Sequence, residues 1–519
     1  MASNRPGAAL GPIDWRLTVA VCLCAALPVF LVSFPPLNDY PFHLARFDIL
    51  ARYAGSDFLQ RIYNPPNYLL PNVGGDVLAV VLAWMMPVER AGRVVVAAVI
   101  ILQISGVCVL HYAVWRRLSP WPFVSVLLAY NFILLFGFLN YGIGVGLALW
   151  GVAVHLVLLG RPIWVRCLAG AAIALVVYFA HLAAFGLYAL LIATLRTSEL
   201  LREARQNRAW PDIRQVLPEA LPLAPPLLLL LNSPPVQYGG LSFSHPLEVS
   251  FSWFIKTKLG AAVSLLSFGN FWLDVAHLVT WITVLGVIAV LARPRFHPSL
   301  WLFLTVGTLA FLVAPHSALT GGYVEARIPM FLAFSAVAFV DLNPRNAQAF
   351  RRLTIVLTTA ALVRTFAVAF AWYSSQPPLE EVVQALRRLP AGSFVFTASL
   401  DPAPGISRFW DQNWAPPMKH VVSYAGLGRD LFVPATWAHP AQQPISVRPD
   451  VQAAYLAQGV NPPVITDSAH LSQVAARFRG SMDSGPAYLL LLGAPTPVIA
   501  LRDADAVARG QRFLLMPLP

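Results

Sequence analysis

Apolar runs long enough to cross a lipid bilayer, or most of it, recur along this chain, and no other feature constrains its fold as strongly. A hydrocarbon core of about 30 Å takes about 20 apolar residues as a helix. Runs of this kind cover residues 15–34, 94–115, 121–139, 141–160, 216–231, 273–292, 301–314, 328–340 and 353–372. Two further regions parse less simply. One is 74–88; the other, 167–195, reads either as one long tilted helix or as two short ones meeting at His181. Charged residues make up only 12% of the 519-residue chain, against about 25% in soluble domains. The expectation is an all-α polytopic membrane bundle.

The net charge of +12 does not indicate nucleic-acid binding, because the basic residues are spread between spans and not gathered on one face. They follow the positive-inside rule instead. Arg5 and Arg16 place the N-terminus in the cytoplasm. Arg196, Arg202, Arg205, Arg208 and Arg214 mark the strongest cytoplasmic loop; Arg293 and Arg295 mark another, as do Arg345, Arg351 and Arg352. The residues after Tyr373 then lie outside. The span at 94–115 has Arg90 and Arg93 near one end and Arg116 and Arg117 at the other, so the rule does not orient it. A cytoplasmic N-terminus and an external C-terminal region require an odd number of crossings, about 11 with 13 as the alternative. The first span is too long for a signal-peptide core and reads as uncleaved. Cys22, Cys24, Cys108 and Cys167 all sit in or beside apolar runs, where small buried hydrophobes are expected and not a disulfide framework or thiolate metal site.

Four blocks follow: 1–34, the cytoplasmic N-terminus and first span; 35–72, an external loop; 73–372, the rest of the bundle; and 373–519, an extracytoplasmic α/β domain. The last block alternates helix and strand signals. Residues 379–389 are amphipathic, 394–398 and 487–492 read as strands, 504–509 as a helix and 513–516 as a final strand.

The external loop opens on Asn38-Asp39-Tyr40-Pro41-Phe42-His43-Leu44-Ala45-Arg46. Asn38 or Asp39 can cap a helix, and Pro41 suits its first turn. A helix over about 40–52 sets Phe42, Ala45, Ile49 and Tyr53 on one face and Asp39, His43 and Arg46 on another. It is expected to lie in the membrane interface, apolar side toward lipid. Asp39 is the candidate base or metal ligand, with a plain cap as its alternative. His43 is a candidate phosphate or proton contact, the alternative being a wetted interfacial histidine. Arg46 is a candidate bidentate phosphate ligand, or else a snorkelling arginine.

Further polar groups break the apolar runs. Asn140 and Tyr141 are a site or helix-packing glue; His181 is a site or a satisfied core histidine. Arg327 is a phosphate contact on the same side as Asp39, or a partner of Glu325. Lys256 and Lys258 are expected at a solvated surface. The glycines of Gly142-Ile143-Gly144-Val145-Gly146 read as a close-packing helix face. Nucleotide-loop, zinc-protease and nucleophile-elbow motifs are missing from the sequence.

In layout, and in the stretch from Asn38 to Arg46, the chain resembles the C-type membrane glycosyltransferases (GT-C). The resemblance implies transfer of a sugar from a polyprenyl-phosphate carrier to a glycan, lipid or protein acceptor on the outer side of the membrane; the net charge of +12 and the clean apolar helices suggest a bacterial inner membrane, with the external side periplasmic. Asp39 would be the catalytic base. His43, Arg46 and Arg327 would grip the donor phosphate, with Asn140 and His181 also in the substrate site. Many members pair two acids in this loop and hold a divalent metal. Here Asn38 precedes Asp39, and Asp48 points away on a helix, so no cofactor is certain and a divalent metal is an open alternative. The competing readings are a transporter or flippase for a lipid-linked glycan and a non-catalytic envelope-assembly protein.

Overall fold

The computed structural model describes residues 14–207, 216–233, 251–318, 321–400, 417–482, 485–493 and 506–518. The chain is mostly helical, and among the described residues six helices are long and apolar enough to cross a membrane. The expected first span is broken: α1 (Trp15–Ala25) gives way to a short α2 (Leu27–Phe30). Pro28 lies in the first turn of α2, where a chain lacking one N–H restarts most easily. The loop that follows contributes α3 (Tyr40–Arg52) and α4 (Asp57–Ile62). α3 has the expected bounds but not the expected setting. Most of its residues are buried, and it packs between the bundle and the C-terminal segment instead of resting on lipid.

α5 (Gly74–Ala83) precedes the long α6 (Val88–Trp115). Gly75 meets Asn140, and Gly92 of α6 meets Tyr40 and Leu44, so α5 starts and finishes at the Asp39 end. The same contacts place Arg90 and Arg93 at that end and Arg116 and Arg117 at the other. The run at 121–139 is not one helix; it holds α7 (Ser125–Ala129) and α8 (Phe132–Phe136). α9 (Leu139–Leu158) packs against α6 more closely than any other pair. Its glycines explain this: a Cβ at Gly142 would lie 2.5 Å from a Val99 methyl, and one at Gly146 2.5 Å from Leu102 Cβ. Positions rise together in the two helices, so they run parallel.

α10 (Ile163–Ala180) and α11 (Leu182–Asn207) meet at His181, whose extended backbone (φ −166°, ψ 128°) breaks the helix. Of the two readings of 167–195, two helices are found. Arg208 and Arg214 lie outside the described residues. α12 (Leu217–Ala220), α13 (Ala224–Leu231) and α14 (Phe251–Val263) follow, then α15 (Phe271–Leu291), α16 (Ser299–Val313), α17 (Val324–Phe339) and α18 (Ala347–Ser374). An antiparallel ribbon of β1 (Ala292–Phe296) and β2 (Val340–Pro344) ties the ends of α15 to α18 together. It gathers Arg293, Arg295 and Arg345 at the end opposite Asp39. There Arg117 Nη2 binds the fully buried Asp341 at 2.5 Å.

The C-terminal segment begins with α19 (Gln376–Leu386). It then builds a four-stranded sheet from β3 (Phe394–Ser399), β4 (Ala487–Leu492), β5 (Ala508–Gly510) and β6 (Phe513–Pro517). The spatial order is β3-β4-β6-β5; β3 and β4 are parallel and the other pairs antiparallel. α20 (Pro449–Gln458) and α21 (Ser468–Gly480) connect β3 to β4. Residues 508–509, expected in a helix, form strand; 504–505 lie outside the described residues. One core runs unbroken from the bundle into this segment, and a second joins Ile49, Leu50, Leu59 and Ile62 to the sheet. The first loop and the C-terminal segment are therefore one packed unit.

Candidate active site

Asp39 is held by backbone before its side chain does anything. α8 ends at Gly137 in the left-handed region (φ 102°), a conformation that glycine adopts without cost. The carbonyls of Leu135 and Phe136 accept the N–H groups of Asn38 and Asp39 at 2.8 and 3.0 Å. A Cβ at Gly137 would sit 2.9 Å from Asp39 N and Cβ. Asp39 stands at the N-cap position, but its carboxylate makes no capping bond. Oδ1 accepts Asn38 Nδ2 at 2.7 Å and lies 3.5 Å from His420 Nε2. The plain-cap alternative therefore fails.

One turn on, His43 Nε2 lies 2.8 Å from the Gly137 carbonyl and Nδ1 lies 2.8 Å from Arg46 Nη2. A carbonyl only accepts and a guanidinium only donates, so Nε2 carries the proton and Nδ1 accepts. Burial and the Arg46 charge hold this imidazole well below its usual range, so it stays neutral. Both nitrogens are thus spent within the protein. His43 orients Arg46 while its ring edge lines a cavity.

Arg46 does not snorkel. Its Nε binds Asp76 Oδ1 at 2.5 Å, with both side chains buried. Asp76 was not singled out in the sequence, although an acid inside the apolar α5 signals a buried partner. Its other oxygen accepts Asn140 Nδ2 at 3.2 Å. Asn140 also donates to the Asn72 carbonyl and accepts the Gly75 N–H at 2.7 Å. Asn72 Oδ1 accepts the Leu182 N–H at the His181 break. A single polar network thus joins α3, α5, α9 and the α10–α11 junction. Asn140 acts here as glue, with both donors used.

Arg327 is placed differently. Glu325, its expected partner, binds His316 Nδ1 at 2.9 Å instead. Among the described residues no carboxylate pairs with Arg327. Its guanidinium carbon lies 4.8 Å from the Phe138 ring centroid, its Nε is buried without a hydrogen bond, and its carbonyl accepts Tyr141 Oη at 2.5 Å. His181 packs edge-on to Tyr141 with ring centroids 5.2 Å apart, and its Nδ1 accepts the Ala183 N–H. Lys258, expected at a solvated surface, is buried and donates to the carbonyls of Phe311 and Ala314.

The six residues expected in the site, Asp39, His43, Arg46, Asn140, His181 and Arg327, line one cavity of about 490 Å³. This volume falls within the usual range of ligand sites, about 300–1,000 Å³. The C-terminal segment closes the cavity with Lys419, His420, Trp437, Gln442 and Gln443, none of which was singled out beforehand. Burial pushes the Asp39 carboxyl up to about 7, against the pull of the Asn38 hydrogen bond and the Lys419 and Arg46 charges. Burial also lowers Lys419, with Asp39 opposing, and keeps His420 neutral. The His420 ring rests on Phe42 at 3.8 Å.

Among the described residues no three His, Cys, Asp or Glu side chains converge as ligands. Asp39 accepts from Asn38 and lies beside His420, His43 is used on both nitrogens, and Asp76 is held by Arg46.

The fold is similar to that of ArnT. The structure of ArnT from Cupriavidus metallidurans bound to undecaprenyl phosphate superposes with a TM-score of 0.50 at 11% identity, over 97% of this chain and 98% of that one. The apo ArnT structure from the same organism gives 0.53 at 12% identity over the same shares. The likeness holds at the level of fold, and among the described residues six helices have the length and apolar character to cross a membrane. No family model and no curated protein matches the sequence.

Proposed function

We propose that the chain is an integral membrane glycosyltransferase that moves a sugar from a polyprenyl-phosphate carrier to an acceptor hydroxyl. The observation that carries the reading is the pairing, in one cavity, of a buried carboxylate with no arginine partner and two cations, Arg327 and Lys419, with no carboxylate bond among the described residues. The ArnT likeness supports the carrier class, since one of those structures holds undecaprenyl phosphate. Asp39 takes the proton of the acceptor hydroxyl as its oxygen bonds to the anomeric carbon. The bond from that carbon to the phosphate oxygen breaks, and the phosphate keeps the electron pair. Arg327 and Lys419 neutralise the charge that grows there. His43 and Asp76 keep Arg46 and the loop in register. The reaction is assigned to the extracytoplasmic face of a bacterial inner membrane, with a glycan, lipid or protein of the envelope as acceptor.

The test uses purified protein in lipid nanodiscs with undecaprenyl phosphate. Arg327→Gln and Lys419→Met should each weaken binding, and the double variant should abolish it. Binding that survives the double variant would move the phosphate elsewhere and overturn the assignment.

A further inference from the structure

We infer that the sugar transferred is uncharged and carries no free amine; the inference rests on the glycosyltransferase reading above. It comes from the uneven lining of the cavity. The first loop and the bundle bring the cations Arg46 and Arg327 and the single lining carboxylate among the described residues, Asp39. The C-terminal side brings Lys419, then Trp437, Gln442, Gln443 and Asn461, an indole and three amides with no acid among them. Two described acids adjoin the lining without entering it: Asp76, bound to Arg46 at 2.5 Å, and the buried Glu325, whose Oε1 lies 2.9 Å from His316 Nδ1.

Among the described residues, an ammonium group placed in this cavity would meet cations and no lining carboxylate besides Asp39. Desolvating it without a counter-charge is costly. Its one available partner would be Asp39, and pairing there would take the base out of use. A neutral sugar has no such conflict. Its hydroxyls match primary amides, which both donate and accept, and the apolar face of its ring suits an indole. A negatively charged sugar is not excluded by charge, but no arginine or lysine stands among Trp437, Gln442, Gln443 and Asn461 to select it.

The experiment compares four probes on the same nanodisc protein: bare undecaprenyl phosphate and its hexose, aminohexose and hexuronate derivatives. The hexose donor should bind more tightly than the bare phosphate, and the aminohexose donor at least about tenfold more weakly than the hexose donor. Trp437→Leu and Gln443→Ala should erase the gain from the hexose and leave bare-phosphate binding unchanged. Equal or tighter binding of the aminohexose or hexuronate donor would overturn the inference and spare the glycosyltransferase reading. Failure of bare undecaprenyl phosphate to bind would overturn both.

Discussion

Asp39 sits where a carboxylate gains little from being charged, and this gives the site its expected pH behaviour. Its ordinary value is 3.8, and burial moves it to about 7. Below that value the carboxyl is protonated and cannot accept a proton. Transfer should therefore rise about tenfold per pH unit up to about 7 and then level off. Lys419 favours the ionised form, so Lys419→Met should move this rising limb to higher pH; a limb that stays in place would remove Lys419 from the surroundings of Asp39. Asp76 bears on stability instead. Asp76→Ala leaves Arg46 buried and unpaired, at a cost of about 3–5 kcal/mol, measurable as earlier unfolding in detergent. Little of this was legible beforehand. Asp39, His43 and Arg46 share a face by spacing alone, but spacing did not show that His43 and Arg46 are bound to each other. Lys419 and His420 carry no local signal, because the residues they meet lie at the far end of the sequence.

Among the elements, the helix after Asp39 was readable because Pro41 and its flanking polar residues mark a start, and its end at Arg52 matches. Its burial was not readable, since the C-terminal segment that covers it comes from elsewhere in the chain. The strands at 394–399 and 487–492 were legible from short apolar runs between turns. The breaks inside 15–34 and 121–139 were not, because hydropathy does not distinguish a continuous helix from several short ones. Two glycines test the elements directly. Gly137→Ala adds a Cβ that collides with the Asp39 backbone and forbids the native φ. Activity should fall at least about tenfold while undecaprenyl phosphate still binds. Gly146→Leu drives a side chain into the Leu102 backbone of α6. It should destabilise the bundle by about 1–3 kcal/mol or more, read as a lowered unfolding temperature with the site chemistry otherwise intact.

For the whole molecule, the cavity is shared by three parts. The first loop supplies Asp39 and Arg46, the bundle supplies Asn140, His181 and Arg327, and the C-terminal segment supplies Lys419, His420 and Trp437. A continuous core joins them; the half-buried pair Arg52–Asp430 at 2.9 Å adds little by comparison. The account stands or falls on Asp39 as the base. The most direct measurement compares cells carrying the wild-type chain, a deletion and Asp39→Asn, with polyprenyl-phosphate sugars and envelope glycans quantified by mass spectrometry. The account predicts that deletion and Asp39→Asn both lose a glycan substituent while the lipid-linked sugar persists or accumulates. A wild-type glycan profile in the Asp39→Asn cells, with a defect only on deletion, would contradict it.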